Sequence, residues 1–219
     1  MKKIVKLLPV AFALMLINPA FADPSNKAQS DLSVTVAPFI NITKEAETPT
    51  ANARFNDAYT TLDLDTTLSA TFKVVNNVPD KVIYLRATCP SAGGDQQALY
   101  GTAADAINIV FTNSSRQSAT PTNSVSNITG ATASAAQNPN AIAFAIKPTI
   151  TPDTTTGAAT PTAELSGKDG ATDNVKYTIK NGVYTMKYDI QGSALANTFS
   201  THDTDGTYKA TLYLTDVNP

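Results

Sequence analysis

Apolar and polar residues alternate one by one in segment after segment of this chain, and hardly any stretch places apolar residues at helical spacing. Leu68, Ala70, Phe72 and Val74 share one face, with Ser69, Thr71 and Lys73 on the other. After Asn76-Asn77-Val78-Pro79-Asp80 the alternation resumes at Ile83, Leu85 and Ala87, which predicts two strands joined as a hairpin. A loop over Pro90 to Asp95 follows, then short strands around Ile107, Ile109 and Phe111 and around Ile142, Phe144 and Ile146. Val175 to Lys180 and Val183 to Ile190 flank Asn181-Gly182, the pair best able to take positive φ at both central positions of a type I′ turn, so a second hairpin is predicted there. The chain closes on Tyr208, Ala210, Leu212 and Leu214, alternating with Lys209, Thr211 and Tyr213.

Two stretches break the rhythm, Thr112 to Asn140 and Pro148 to Asn174, both rich in Thr and other small or polar residues. They hold too little apolar surface to offset the entropy of ordering as independent units, so they are expected as loops or short edge strands. Many short strands with turn signals between them predict one antiparallel β-sandwich of immunoglobulin-like type.

The first segment departs from this pattern. Lys2, Lys3 and Lys6 precede an apolar run from Leu7 to Ile17 that is too short for a membrane span, and Ala20-Phe21-Ala22 supplies small residues for cleavage. Residues 1–22 are therefore expected to be a secretory signal peptide. Residues 23–38 read as an N-terminal extension, and 39–219 as the sandwich domain. Within the extension, Asp31-Leu-Ser-Val-Thr-Val-Ala-Pro38 alternates cleanly, with Leu32, Val34 and Val36 on one face. By periodicity alone this segment is equally a first strand pairing within its own chain. A sandwich lacking one strand, however, exposes an apolar groove and an unpaired edge, and an arm from the next subunit fits such a gap. Repeated head to tail, that contact does not close, and it builds a filament.

Loss of the leader with its three lysines takes the formal charge from −2 to −5, which leaves no basic footprint for nucleic acid. A lone cysteine, Cys89, in a chain bound for an oxidising compartment excludes an intrachain disulfide, and a small hydrophobe packed at a strand end is its expected role.

At the arm, the central strands and the C-terminus the sequence resembles the major subunits of alpha-type chaperone–usher fimbriae, the colonisation-factor pilins. Leu32-Ser-Val-Thr-Val-Ala-Pro-Phe-Ile looks like that family's donor strand. Thr71 to Thr88 is similar to its central hairpin, and Asp205-Gly-Thr-Tyr-Lys-Ala-Thr-Leu-Tyr-Leu-Thr to its terminal Gly-x-Tyr strand, with Gly206 where many such subunits place a glycine. The resemblance implies an incomplete immunoglobulin-like fold completed by a neighbour's strand, and a polymer of the chain with itself. It also implies a periplasmic chaperone, an outer-membrane usher, delivery to the cell surface and, for some fibres, a tip adhesin. In that picture Leu32, Val34 and Val36 are the donor residues, and Gly206, Tyr208, Ala210, Leu212 and Leu214 mark the groove. The chain departs from the family in its additional length between Thr112 and Asn174 and in Asn218, where many fimbrial subunits carry an aromatic residue.

Candidate chemistry is sparse, and no cofactor is expected. His202 with Asp203 and Asp205 lacks the further ligands of a zinc or calcium site and reads as a solvated turn. Asp63 and Asp65 would share a face of a strand, as glycosidase carboxylates might, but are expected to be an exposed strand face. Lys168 to Asp173 has no phosphate-binding glycine pattern, and the Asn-x-Ser/Thr triplets at Asn41, Asn113 and Asn127 are discounted in bacterial export. Tyr84, Tyr177, Tyr184, Tyr188, Tyr208 and Tyr213 lie mostly in strands, where packing is expected to take precedence over ligand binding. Two readings stand beside the pilin: a minor or tip subunit or free β-sandwich that binds host glycans, and a secreted hydrolase, which the single histidine disfavours.

Overall fold

The alternating segments form strands in the computed structural model, which describes residues 30–91, 94–113, 141–168, 171–195, 198–199 and 205–217. The expected leader, residues 114–140 with Asn127, Asp169 and Gly170, His202 with Asp203, and Asn218 lie outside the described residues. In chain order the strands are β1 (Ile40–Thr48), β2 (Ala53–Phe55), β3 (Leu62–Leu64), β4 (Ser69–Asn76), β5 (Lys81–Ser91), β6 (Gly94–Gln97) and β7 (Leu99–Ala103). They continue with β8 (Ala106–Asn113), β9 (Ala141–Asp153), β10 (Thr162–Lys168), β11 (Ala171–Ile179), β12 (Gly182–Ala194), β13 (Tyr208–Lys209) and β14 (Thr211–Thr215). A 3-10 turn at Thr154–Thr156 is the one helical element among the described residues, and no helix there is long and apolar enough to cross a membrane.

Two antiparallel sheets result. The first runs β1-β4-β12-β9-β8-β13, with β7 on β8, β3 on β12 and β2 on β3; the second runs β10-β11-β5-β14, with β6 on β5. Their inner faces meet in one core. Phe72, Val74, Met186, Tyr188 and Ile146 from the first sheet pack with Ile83, Leu85, Val175, Tyr177 and Ile179 from the second, and every one of them is buried. Each fully buried aliphatic among them contributes about 1.5 to 3 kcal/mol. The expected all-β sandwich is thus the architecture of the described residues.

Both predicted hairpins are something else. β4 belongs to the first sheet and β5 to the second, so Asn77 to Asp80 carries the chain across the core and does not pair the two strands. β11 and β12 likewise sit in opposite sheets. At that crossing only Gly182 takes positive φ, at 135°, so the turn is not type I′. A sandwich crossing and a hairpin demand the same alternation and the same turn residues, and only the sheet assignment separates them. Asn76, buried at the end of β4, holds the two crossings together: its amide donates to the Val78 carbonyl at 2.6 Å and to the Lys180 carbonyl at 3.0 Å. An ion pair between Lys180 and Asp80 joins the same two turns at the surface.

The stretch Pro148–Asn174, expected as loops or short edge strands, is strand for much of its length, and so is part of the loop expected over Pro90 to Asp95. Pro148 and Pro152 lie in β9, beyond Ile146, the last residue that pairs with β8. That half of β9 has a ladder partner on one side only, β12, where missing proline N–H groups are tolerated. β10 and β11 take up most of the rest of the Pro148–Asn174 stretch, and β10 is an edge strand. Pro90 lies within β5, which pairs with β6 as far as Ser91 opposite Gly94.

Two of the tyrosines in the core differ from the others. Tyr177 and Tyr188 are buried, and neither hydroxyl makes a hydrogen bond of good geometry. Burial pushes the Tyr177 phenol up to about 12 and that of Tyr188 well above its ordinary value. Because the folded state holds these protons more tightly than the unfolded chain, the stabilisation is complete below pH 10 and is lost as pH rises through about 12, at about 1.4 kcal/mol per pH unit for each phenol. Denaturant titrations at pH 8 and pH 11 should show this loss, and Tyr188→Phe should match or exceed the wild type at pH 8 while losing less at pH 11. A second prediction concerns Gly182, where an added Cβ would lie 2.7 Å from the backbone nitrogen of Ala158. Gly182→Ala should cost about 2 to 4 kcal/mol in a denaturant midpoint, whereas Gly192→Ala, which meets nothing within 4 Å, should leave stability unchanged or slightly raised.

Candidate functional site

The chain divides into a unit Met1–Val36 and a unit Ala37–Pro219. The described part of the first carries the alternating arm. Residues 31–36 join no ladder, and their apolar side chains are open to solvent: Leu32 is 92 % exposed, Val34 92 % and Val36 76 %. Single exposed apolar residues are common on protein surfaces, but three at every second position make a strand face without a sheet.

At the start of the second unit the chain is clamped around Pro38. The Asn77 side chain donates to the Ala37 carbonyl at 2.9 Å and accepts from the Phe39 amide at 2.6 Å, while the Asn77 amide donates to the Phe39 carbonyl at 3.1 Å. Ile40, the first residue of β1, pairs with Asn76, the last of β4. The ladder therefore stops there, and Asn77 satisfies backbone groups that a strand partner would otherwise take. Sequence reading passed over Asn77; an asparagine in a turn is too common a signal to single out without the fold.

The open sheet edges differ in character. β1 carries a bulge between Lys44 and Ala46 and the charges of Lys44, Glu45 and Glu47. β10 has a bulge between Ser166 and Gly167, a charged Glu164, and Pro161 just before it. Bulges, charges and prolines all discourage a further strand from docking. β14, by contrast, is Thr211-Leu-Tyr-Leu-Thr215, regular and uncharged, and pairs only with β5 among the described residues.

The predicted groove residues meet on this terminal segment. Leu214 is buried, whereas Tyr208, Ala210 and Leu212 are half-buried against the core, an inward face that is incompletely covered. The expected continuous strand is broken at Ala210: Tyr208 and Lys209 pair with β8 in the first sheet, and Thr211 onward with β5 in the second. Gly206 enters this segment at a φ of 138°, and a Cβ there would lie 2.9 Å from the Asn113 amide nitrogen, so both conformation and space require glycine. The Asn113 amide donates to the Asp205 carbonyl at 3.2 Å from the same place.

The remaining candidates are structural. The Asp63 carboxylate accepts from the Ser193 hydroxyl at 2.5 Å and from the Thr61 hydroxyl at 2.8 Å; these bonds, Ser193 first, hold its pKa below the usual range. Asp65 is held low by Asn52, whose side chain and backbone amides donate at 2.7 and 2.8 Å. Both are ionised at neutral pH, so this pair lacks the protonated acid that glycoside cleavage requires. Cys89 is buried, and burial pushes its thiol up, away from the reactive thiolate. Tyr177, Tyr184 and Tyr188 pack in the core, and Tyr213 is partly exposed, its hydroxyl 3.3 Å from that of Thr88. Among the described residues no three His, Cys, Asp or Glu side chains gather to hold a metal.

The clamp yields a local prediction. Asn77→Ala should cost only about 1 kcal/mol globally, because its hydrogen bonds are exposed, yet it should raise amide exchange at Phe39 and hasten proteolysis around Pro38, both readable by mass spectrometry. Comparison with known protein families, with curated proteins and with solved structures finds no match for this chain.

Proposed function

We propose that this chain is a structural subunit of a bacterial surface fimbria that polymerises by lending its arm to the open sandwich of the next copy. The observation that carries the reading is the coexistence of a strand-like arm with no sheet and a regular, uncharged sheet edge with a half-covered apolar face. In this reading Leu32, Val34 and Val36 are the donor residues, and their burial contributes about 5 to 9 kcal/mol before ordering costs. The acceptor is the edge of β14, where unpaired N–H and C=O groups gain partners and Leu212, Ala210 and Tyr208 lose their remaining contact with water. The resemblance of the arm and terminal strand to alpha-type pilins agrees with this division of labour. It adds a periplasmic chaperone to cover the edge before assembly, an outer-membrane usher to export the fibre, and a location on the cell surface. Growth of such a polymer requires no catalysis by the subunit.

The test is size-exclusion chromatography with light scattering on the exported chain co-expressed with its chaperone. The wild type should form heat-resistant polymers, whereas Val34→Asp and a deletion of residues 23–36 should remain monomeric or chaperone-bound, because one buried carboxylate without a partner costs several kcal/mol. A wild type that never polymerises, or a deletion variant that polymerises as well, would remove the arm from its role.

A further inference from the structure

Between β1 and β4 the chain makes an excursion, Asn52 to Asp65, whose construction exceeds what a connection needs. At its base Asp65 accepts from Asn52 at 2.7 and 2.8 Å, and the Asp65 amide donates to the Asn52 carbonyl at 2.9 Å. At its tip the Asn56 side chain accepts from the amides of Thr60 at 2.7 Å and Thr61 at 3.2 Å, and donates to the Thr60 hydroxyl at 2.8 Å. Its backbone carbonyl accepts from the Tyr59 amide at 2.9 Å. Ser193 on β12 fastens the hairpin to the first sheet through Asp63. The result holds Tyr59 in the left-handed region, φ 56°, an uncommon conformation for an aromatic residue, and leaves the residue 66 % exposed.

That ring is not isolated. Phe55 lies under it with ring centroids 6.1 Å apart, and Phe199 follows Phe55 at 6.0 Å, both tilted and both half-buried. A row of three aromatic rings thus rises from the core to a rigid, exposed tip. Arg54, Asp57 and Thr60, all exposed, supply charged and hydroxyl groups on the same hairpin.

We propose that this hairpin is a carbohydrate-binding platform, with Tyr59 stacking against the apolar C–H face of a hexopyranoside. The size of the patch selects this occupant. A stable protein partner buries about 800 Å² on each side, whereas one aromatic side chain offers at most about 200 Å² over its whole surface, enough for a ligand the size of a single ring. Sugar C–H groups carry slight positive charge toward the negative face of the aromatic ring, and sugar hydroxyls need the short polar groups found alongside. The inference is independent of the polymerising arm, since no residue is shared.

Saturation-transfer NMR on the intact exported chain tests it, with methyl β-galactopyranoside, which has an uninterrupted C–H face, and methyl α-mannopyranoside as probes. Binding on the order of millimolar is expected for the galactoside, with saturation strongest on the C–H face. Tyr59→Ala should weaken it about tenfold, Tyr59→Phe should stay within about threefold, and Val217→Ala, at an exposed apolar residue outside both the hairpin and β14, should change nothing. Absence of saturation on either sugar, or undiminished binding in Tyr59→Ala, would overturn the proposal. So would a Tyr59→Ala variant that binds as the wild type does and loses only self-association, which would make the ring a contact between copies.

Discussion

The buried amide of Asn76 stands at the point on which the sandwich depends. A two-sheet protein must carry its backbone across the core, and each crossing strips carbonyl groups of their ladder partners in a place where water is scarce. Here two crossings, Asn77 to Asp80 and Lys180 to Gly182, lie side by side, and one side chain satisfies a carbonyl in each. With these crossings fixed, β4 and β12 become neighbours in the first sheet and β5 and β11 neighbours in the second, and the inward positions of all four strands fall on one core. Gly182 belongs to the same arrangement, because only a residue without a Cβ allows Ala158 to approach so closely.

The sequence made the facing of side chains legible and the partners of strands much less so. Phe72, Val74, Ile83, Leu85, Tyr184 and Tyr188 are buried as their alternation predicts, since a strand shows only two faces and the core must receive the apolar one. Nothing in the alternation says which sheet a strand joins. Asn181-Gly182 therefore read as a hairpin although its flanking strands lie in opposite sheets, and the prolines of β9 concealed a strand that needs few N–H groups on its open side.

The candidate sites divide in the same way. The arm stands out in the sequence because its alternation is local, and its Leu32, Val34 and Val36 are exposed. The clamp by Asn77 was not, because it joins residues 38 and 40 positions apart in the chain. Tyr59 was passed over for a similar reason: its standing rests on a backbone conformation, on Phe199 far along the sequence, and on Asp63 and Asp65, which drew attention as paired acids and serve as braces.

The one thiol has a consequence for how the protein ages. Cys89 is sealed at the core end of β5 and kept in its neutral form, so it offers neither a route for exchange with other thiols nor an easy target for peroxide. The durability of the fold then rests on packing and hydrogen bonds, which re-form after every fluctuation and leave no chemical record of it.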